Sequence, residues 1–333
     1  MLSHQADVVR SLATKFDKVT VITGNKGQFE PPFNVQVLDL GWVEGNNLRN
    51  IFRLYRSFFS VLKPRKSVVF SHMTDVQAAF LSPFTWITQT PHYLWYAHKQ
   101  FSPYLRFANL FVDGVLTSTL GSCPLSGKRV SVIGQGVDPS VFNLDKRTSG
   151  DLNSCVHIGR ADPSKNLRKI FEFTVSEHSM NANFNLIHVG GPSTLKAQLD
   201  LESICRDFQN SIDLGVIKLH PSTTRSQVPN FLASADFFVH AYQGSLDKSL
   251  VESTLAKVPV ITLNQEYHAI FGTWSGEDVP SLQSEYRALK NLGIQRLEQE
   301  IERRFKLAEK SHSYRGWIEK IANILQKGEP LDL

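Results

Sequence analysis

The sequence predicts an α/β protein built from two doubly wound parallel sheets. Three observations carry that prediction. The chain has 333 residues, which at about 150 residues per domain suggests two domains. Its composition, 41% apolar and 20% charged, is that of an ordinary globular protein and excludes disordered, collagenous and coiled-coil classes. Short β-branched runs alternate with longer helical patterns, and that alternation occurs twice.

The first series opens with a helix-like segment, Ser3–Lys15. Strands are predicted at Val19–Thr23, Val35–Leu38, Val68–Ser71, Tyr93–Ala97, Gly114–Thr117 and Val130–Ile133, each a short apolar or β-branched run. The second series has strands at Cys155–Ile158, Leu186–Val189, Val216–Leu219, Phe237–Ala241 and Val258–Leu263. Helical patterns fall at Leu48–Leu62, Leu167–Glu177, Leu195–Phe208, Val228–Ala233 and Leu246–Ala256. Between the series, Val137–Asn153 holds Pro139, Ser149, Gly150 and several charges, and reads as a linker. The tail from Leu297 to Gln326 reads as helix, anchored by Phe305, Trp317, Ile318, Ile321 and Leu325. The expected domains are 1–142 and 154–311, joined by a linker at 143–153, with a helix at about 312–330 packing back on the first.

The net charge is +5, but it is unevenly spread. Residues 1–150 hold 16 Lys and Arg against 9 Asp and Glu. Such asymmetry suggests an anionic partner for the first half, or a basic surface kept for solubility. The pattern Leu48–Leu62 sets Arg49, Arg53 and Arg56 among Phe52, Tyr55, Phe58 and Phe59. A basic aromatic helix can rest on anionic lipid; the plainer reading packs the aromatic residues on the sheet. Cys123, Cys155 and Cys205 lack metal-site spacing, and an odd, sparse count fits a reducing compartment. No run of eighteen apolar residues occurs, and Met1–Arg10 lacks signal-peptide features. The expected location is cytoplasmic, with a peripheral place at the inner face of a membrane.

Several chemistries are excluded by motif. There is no GxxxxGK[ST], HExxH, GxSxG or zinc spacing. Gly134-Gln135-Gly136 lacks the third glycine and helix entry of a dinucleotide fingerprint. Open α/β sheets bind ligands beyond the carboxyl ends of their strands, so candidates are sought there. Gly159-Arg160 closes a strand, and Lys165-Asn166 precedes a helix. A guanidinium fork and an ammonium could converge on one anion beside a helix N-terminus, or sit solvated in a loop. Gly244-Ser245-Leu246 follows the predicted strand Phe237–Ala241 and leads to Glu252, a carboxylate that could accept from two ribose hydroxyls or stand as an ordinary helical Glu. His72 and His98 end two strands of the first half.

The blocks Ile133-Gly134-Gln135-Gly136-Val137-Asp138…Phe142, Gly159-Arg160…Lys165-Asn166 and Gly244-Ser245-Leu246-Asp247-Lys248-Ser249-Leu250-Val251-Glu252…Val258-Pro259-Val260-Ile261 carry a resemblance. In order and separation they resemble the GT-B glycosyltransferases, most of all the retaining group-1 (family 4) branch. The resemblance implies two Rossmann-like domains facing a cleft, the first binding acceptor and the second a nucleotide-sugar donor. It implies that Arg160 and Lys165 hold the donor diphosphate, with Gly159, Asn166, Gly244, Ser245 and Leu246 around the donor. Glu252 matches the ribose-binding second Glu of a Glu-x7-Glu motif. His98 matches the His beside the transferred sugar, and His72 a further cleft position. The reaction implied is retaining sugar transfer from a UDP-sugar or GDP-sugar to an acceptor hydroxyl of a polysaccharide, glycolipid or other glycoconjugate. No metal or other cofactor is expected, because cations of the protein and helix N-termini would stabilise the leaving diphosphate. The expected acceptor is a glycan or lipid-linked molecule, and no nucleic acid is expected.

Two departures accompany the resemblance. Gly244 stands where the first Glu of Glu-x7-Glu belongs, with Asp247 the nearest substitute. The family's opening strand and glycine-rich loop have no counterpart ahead of Ser3, so the expected first domain is one strand short. These departures support an alternative reading: a nucleotide-sugar-binding or scaffold protein without turnover. A sugar-nucleotide epimerase of the same architecture is a third.

Overall fold

A computed structural model describes residues 3–127, 129–142 and 152–328. Of the linker expected at 143–153, only Leu152 and Asn153 are among them. The chain divides into two compact units. Unit 1 holds residues up to Thr117, Pro124–Ile133 and the tail from Arg315; unit 2 holds Ser118–Cys123 and Gly134–Tyr314.

Unit 1 begins with helix α1 (Ser3–Ala13) and a parallel pair, β1 (Val19–Thr23) and β2 (Val35–Asp39). Helix α2 (Asn47–Val61), β3 (Val69–His72), α3 (Asp75–Ile87), β4 (His92–Trp95), α4 (Pro103–Ala108), β5 (Gly114–Thr117) and β6 (Val130–Val132) follow. Strands β3 to β6 form one parallel sheet in simple sequence order. Every residue of β4 and β5 is buried, as expected of parallel strands covered on both faces. Helix α3 has no counterpart in the sequence reading. Its interior contains Pro83, a residue that normally argues against helix. Strand β4 ends at Trp95 rather than Ala97, so His98 lies three residues beyond the strand, exposed, and does not end it.

Unit 2 is built from β7 (Ser154–Ile158), α5 (Leu167–Met180), β8 (Asn185–Val189), α6 (Leu195–Asp207), α7 (Gln209–Asp213), β9 (Ile217–His220), α8 (Val228–Ala233), β10 (Phe237–His240), α9 (Lys248–Leu255), β11 (Val260–Thr262), α10 (Gln265–Phe271), α11 (Leu282–Asn291) and α12 (Ile294–His312). The sheet order is β11-β10-β7-β8-β9, all parallel. The first strand is therefore central, and the order reverses between β7 and β10. Alternate residues feed two cores: Cys155, Phe237, Val239 and Ile261 pack on one face, Val156, Phe238 and Val260 on the other. That is the period of two expected of a pleated strand.

Helix α13 (Tyr314–Lys327) returns to unit 1 and buries Trp317, Ile318, Ile321 and Leu325. The tail is thus two helices, not one. At Ser313 the backbone is extended, because Val137 donates to the His312 carbonyl (2.8 Å) and accepts from the Tyr314 N–H (2.8 Å). A strand-like bridge replaces one turn of helix there. The helix expected at Leu246–Ala256 starts only at Lys248, leaving Leu246 and Asp247 in the preceding loop.

Candidate functional site

In open α/β sheets the reversal of strand order leaves a crevice at the carboxyl edge, because flanking connections leave on opposite faces. In unit 2 that point lies beyond β7 and β10. The β7–α5 loop supplies Gly159, Arg160, Lys165 and Asn166, and the β10–α9 loop supplies Gly244, Ser245 and Leu246.

The β7–α5 loop is closely fixed. Gly159 N–H donates to the Val189 carbonyl (3.0 Å) and Ala161 N–H to that of Gly191 (2.9 Å). Gly190 has φ +151°, and a Cβ there would lie 1.8 Å from the Gly159 carbonyl oxygen. Only glycine lets the loops after β7 and β8 approach so closely. Asp162 accepts from the Ser193 N–H (3.1 Å) and hydroxyl (2.6 Å). Burial pushes its carboxyl up, but those bonds and the Arg160 guanidinium hold it below the usual range. Arg160 reaches Asp162 at 3.1 Å while its side chain stays 64% exposed. Its fork is tethered yet open to a ligand. Asn166 takes left-handed backbone, φ +54°, and α5 starts directly after it.

Lys165 and Asp247 join the two loops. The Lys165 amine donates to Oδ2 of Asp247 and lies 4.1 Å from the centre of the Tyr242 ring. His240 Nε2 stands 3.2 Å from the same carboxylate oxygen, and His240 Nδ1 lies 3.1 Å from the Thr262 hydroxyl. Thr262 Oγ1 also accepts from the Asn264 N–H at 3.1 Å. One arrangement satisfies all of these: Thr262 donates to Nδ1, and neutral His240 donates from Nε2 to Asp247. Burial holds the His240 pKa below its ordinary value, which agrees with the neutral ring. Burial would raise the Asp247 pKa, but the His240 bond and the Lys165 charge outweigh it and keep the carboxylate ionised.

Asn264 shapes the β10–α9 loop. Its amide nitrogen donates to the carbonyls of Tyr242, Gly244 and Ser245 at 3.1, 3.2 and 3.1 Å, and its Oδ1 accepts from the Tyr267 N–H at 3.0 Å. Leu246 is held from both sides: its N–H donates to the Ser122 hydroxyl (2.9 Å), and its carbonyl accepts from the Gln135 side chain. Gln135 therefore ties this loop to the segment after β6. A Cβ on Gly244 would meet the end of the Tyr242 ring at 2.0 Å. A larger residue at 244 requires Tyr242 to swing away from Lys165.

Glu252 lies one turn into α9, with Oε1 3.4 Å from the Arg225 guanidinium. Burial raises its pKa and Asp247 adds to the rise, while Arg225 and Lys248 oppose it. Beneath the loops runs a layer of buried imidazoles. His157 and His188, opposite each other on β7 and β8, stack with centroids 5.0 Å apart and share a 2.9 Å Nδ1–Nδ1 contact. His240 follows on β10, 6.2 Å from His157.

Lys165 and the loop carrying Gly244, Ser245 and Leu246 are thus brought together through Asp247. Arg160 and Asn166 stand on the same β7–α5 loop as Lys165, and Glu252 follows on α9. Asp247 faces Lys165 and His240. His98 belongs to unit 1, 6.1 Å from the Tyr96 ring. His72, also in unit 1, ends β3 and packs on Trp95 and Trp317 at 6.4 and 6.2 Å. His240, Tyr242, Arg225 and Asn264 were missed by the sequence reading. His240 ends a strand, as His72 does, so the same rule could have found it.

No family model and no curated protein sequence matches the chain. Solved structures do. The Anabaena HepE structure with UDP and glucose superposes with TM-score 0.74 at 14% identity, over 97% of this chain and 95% of that one. The fold is that of GT-B glycosyltransferases. A sucrose-phosphate synthase from Thermosynechococcus elongatus matches with TM-score 0.73 at 9% identity, over 97% of this chain and 92% of that one. A glycosyltransferase from Rickettsia africae gives 0.70 at 11%, over 97% and 94%.

Proposed function

We propose that the chain is a retaining glycosyltransferase of the family 4 type, moving a sugar from a nucleoside-diphosphate sugar to an acceptor hydroxyl of a glycan or glycoconjugate. The observation that carries this reading is the meeting of the β7–α5 and β10–α9 loops at the strand-order reversal of a GT-B fold. Arg160 and Lys165 are the groups for the donor diphosphate. Arg160 offers a planar fork and Lys165 a compact charge, beside the starts of α5 and α9. An arriving diphosphate competes with Asp247 for the Lys165 amine. Glu252 is the ribose acceptor, with Arg225 setting its direction. Gly159, Asn166, Gly244, Ser245 and Leu246 supply backbone around the donor, and His98 serves beside the transferred sugar. Negative charge builds on the leaving diphosphate, and cations already in place stabilise it without a metal. The anomeric configuration is retained. The HepE structures contain UDP, UDP with glucose, and UDP-glucose, so UDP-glucose is the first donor to try.

A second reading keeps donor binding without turnover. It is favoured by Gly244 in place of a carboxylate and by Asp247 already holding Lys165. A panel of UDP- and GDP-sugars, read by thermal shift and by sugar release, separates the two. Donor at a hundred times its Kd stabilises the fold by about 2.7 kcal/mol. Stabilisation with neither transfer nor donor hydrolysis selects the second reading. Transfer that survives EDTA supports the metal-free mechanism. Undiminished transfer by His98→Ala removes that residue from it.

A further inference from the structure

Helix α2 has two apolar faces. Asn50, Leu54 and Phe58, spaced by four, are buried in unit 1. Two residues turn a helix by about 200°, so Leu48 and Phe52 lie on the opposite side, and Phe59 continues that stripe. All three are exposed, Phe52 at 66%. A surface helix ordinarily needs only one apolar face.

The exposed aromatic surface continues past α2. Phe59 meets Phe84 of α3 edge-on at 5.2 Å, and Tyr55 bridges Phe84 and Phe80 at 5.3 and 6.5 Å. Phe80 lies 6.5 Å from Tyr104 of α4. Trp86 and Phe107 both pack on Phe111, at 6.0 and 5.3 Å. Trp86, Tyr104 and Phe107 are exposed, Trp86 at 63%. Rings of α2, α3 and α4 are thus linked through Phe59, Tyr55, Phe84, Phe80 and Tyr104, while Trp86, Phe107 and Phe111 form a second cluster of their own.

Charge decides what fits this surface. Residues 46–112 carry eight Lys and Arg against a single carboxylate, Asp75. Asp75 accepts from the Ser102 hydroxyl. Arg49, Arg56, Lys63 and Arg106 are exposed. Arg53 is not part of this set, because it donates inward to the carbonyls of Leu40 (2.7 Å) and Gly41 (3.3 Å).

We infer that this surface of unit 1 docks on an anionic lipid bilayer. Exposed aromatic rings are suited to the headgroup layer, and the arginines and lysines to lipid phosphates. No helix among the described residues is long and apolar enough to span a membrane, so the contact lies in the interface plane. The inference stands apart from the proposed chemistry and is read without activity.

The test is flotation of the full chain with vesicles of phosphatidylcholine and phosphatidylglycerol in equal parts, beside pure phosphatidylcholine. The chain floats with the anionic vesicles at 50 mM salt, is released at 500 mM, and ignores the neutral ones. Arg49→Ala with Arg56→Ala weakens binding about thirty-fold, and Phe52→Ser with Phe59→Ser also weakens it. Arg287→Ala with Lys290→Ala, two exposed cations of unit 2, leaves binding within about twofold. Unchanged melting of each variant shows that the fold is intact. No flotation at low salt overturns the inference, as does flotation indifferent to both double variants on unit 1. Concentration-dependent self-association abolished by Phe52→Ser, with vesicle binding unchanged, overturns it in favour of a contact between copies.

Discussion

The two units use the same parallel-sheet architecture for different ends. In unit 2 the strand order reverses beside β7, and the loops at that point are tied down by buried polar groups such as Asn264, His240 and Ser122. In unit 1 the four-stranded sheet runs in sequence order, with no reversal among the described strands. Its distinctive feature is instead the outer side of α2 to α4, where aromatic rings face solvent. One topology brings two loops together at a sheet edge; the other leaves aromatic residues of its helices exposed. The contrast teaches that where loops converge depends on strand order, which differs between two sheets of the same parallel class.

The sharpest way to break this contrast is Arg160→Ala. Loss of one such stabiliser costs about 10²–10³ in rate, roughly 2.7–4 kcal/mol, with unchanged melting; wild-type turnover would remove unit 2's loop from the chemistry. Next comes acidification. Burial lowers His188 to about 4 in unit 2 and His92 to about 4 in unit 1. A His whose folded pKa is depressed contributes fully above its unfolded value near 6.5, and that stability is lost as pH falls toward 4. Each can cost about 3 kcal/mol. Unit 2 also buries His157 and His240, both lowered, so hydrogen exchange from pH 7 to 4.5 should show unit 2 opening first. Equal opening would show that the imidazole layer does not distinguish the units.

Asn264→Ala leaves three loop carbonyls without their shared donor and should cost about 1–3 kcal/mol, read by urea unfolding, with weaker donor binding. Phe52→Ser on unit 1 should change stability by no more than about 0.5 kcal/mol, because the ring has no buried role. A larger loss would mean that the outer side of α2 belongs to the core.

The sequence carried the strands well because β-branched runs such as Val19–Thr23 and Gly114–Thr117 announce themselves locally. The place of Arg160 and Lys165 in the loop after β7 was legible from the end of that strand, Ile158. Helix α3 was hidden by Pro83, and the break at Ser313 by a partner, Val137, far away in sequence. The bonds that shape the Gly244–Asp247 loop were hidden too. Ser122 and Gln135 lie more than a hundred residues from Leu246, and the spacing within any one motif does not report them. Asp247 was visible as a carboxylate, but its direction depended on His240 and Lys165 together.

Leu246 draws both of its backbone partners from short stretches where the chain passes from one unit to the other. Residues 118–123 belong to unit 2 yet are followed in sequence by ten residues of unit 1. A fragment cut as one continuous piece, 134–314, would keep Gln135 and lose Ser122. The N–H of Leu246 would then lose its bond to the Ser122 hydroxyl. Unit 2 can be isolated with its loop intact only if that six-residue stretch is spliced back in, so the indivisible piece is discontinuous in sequence.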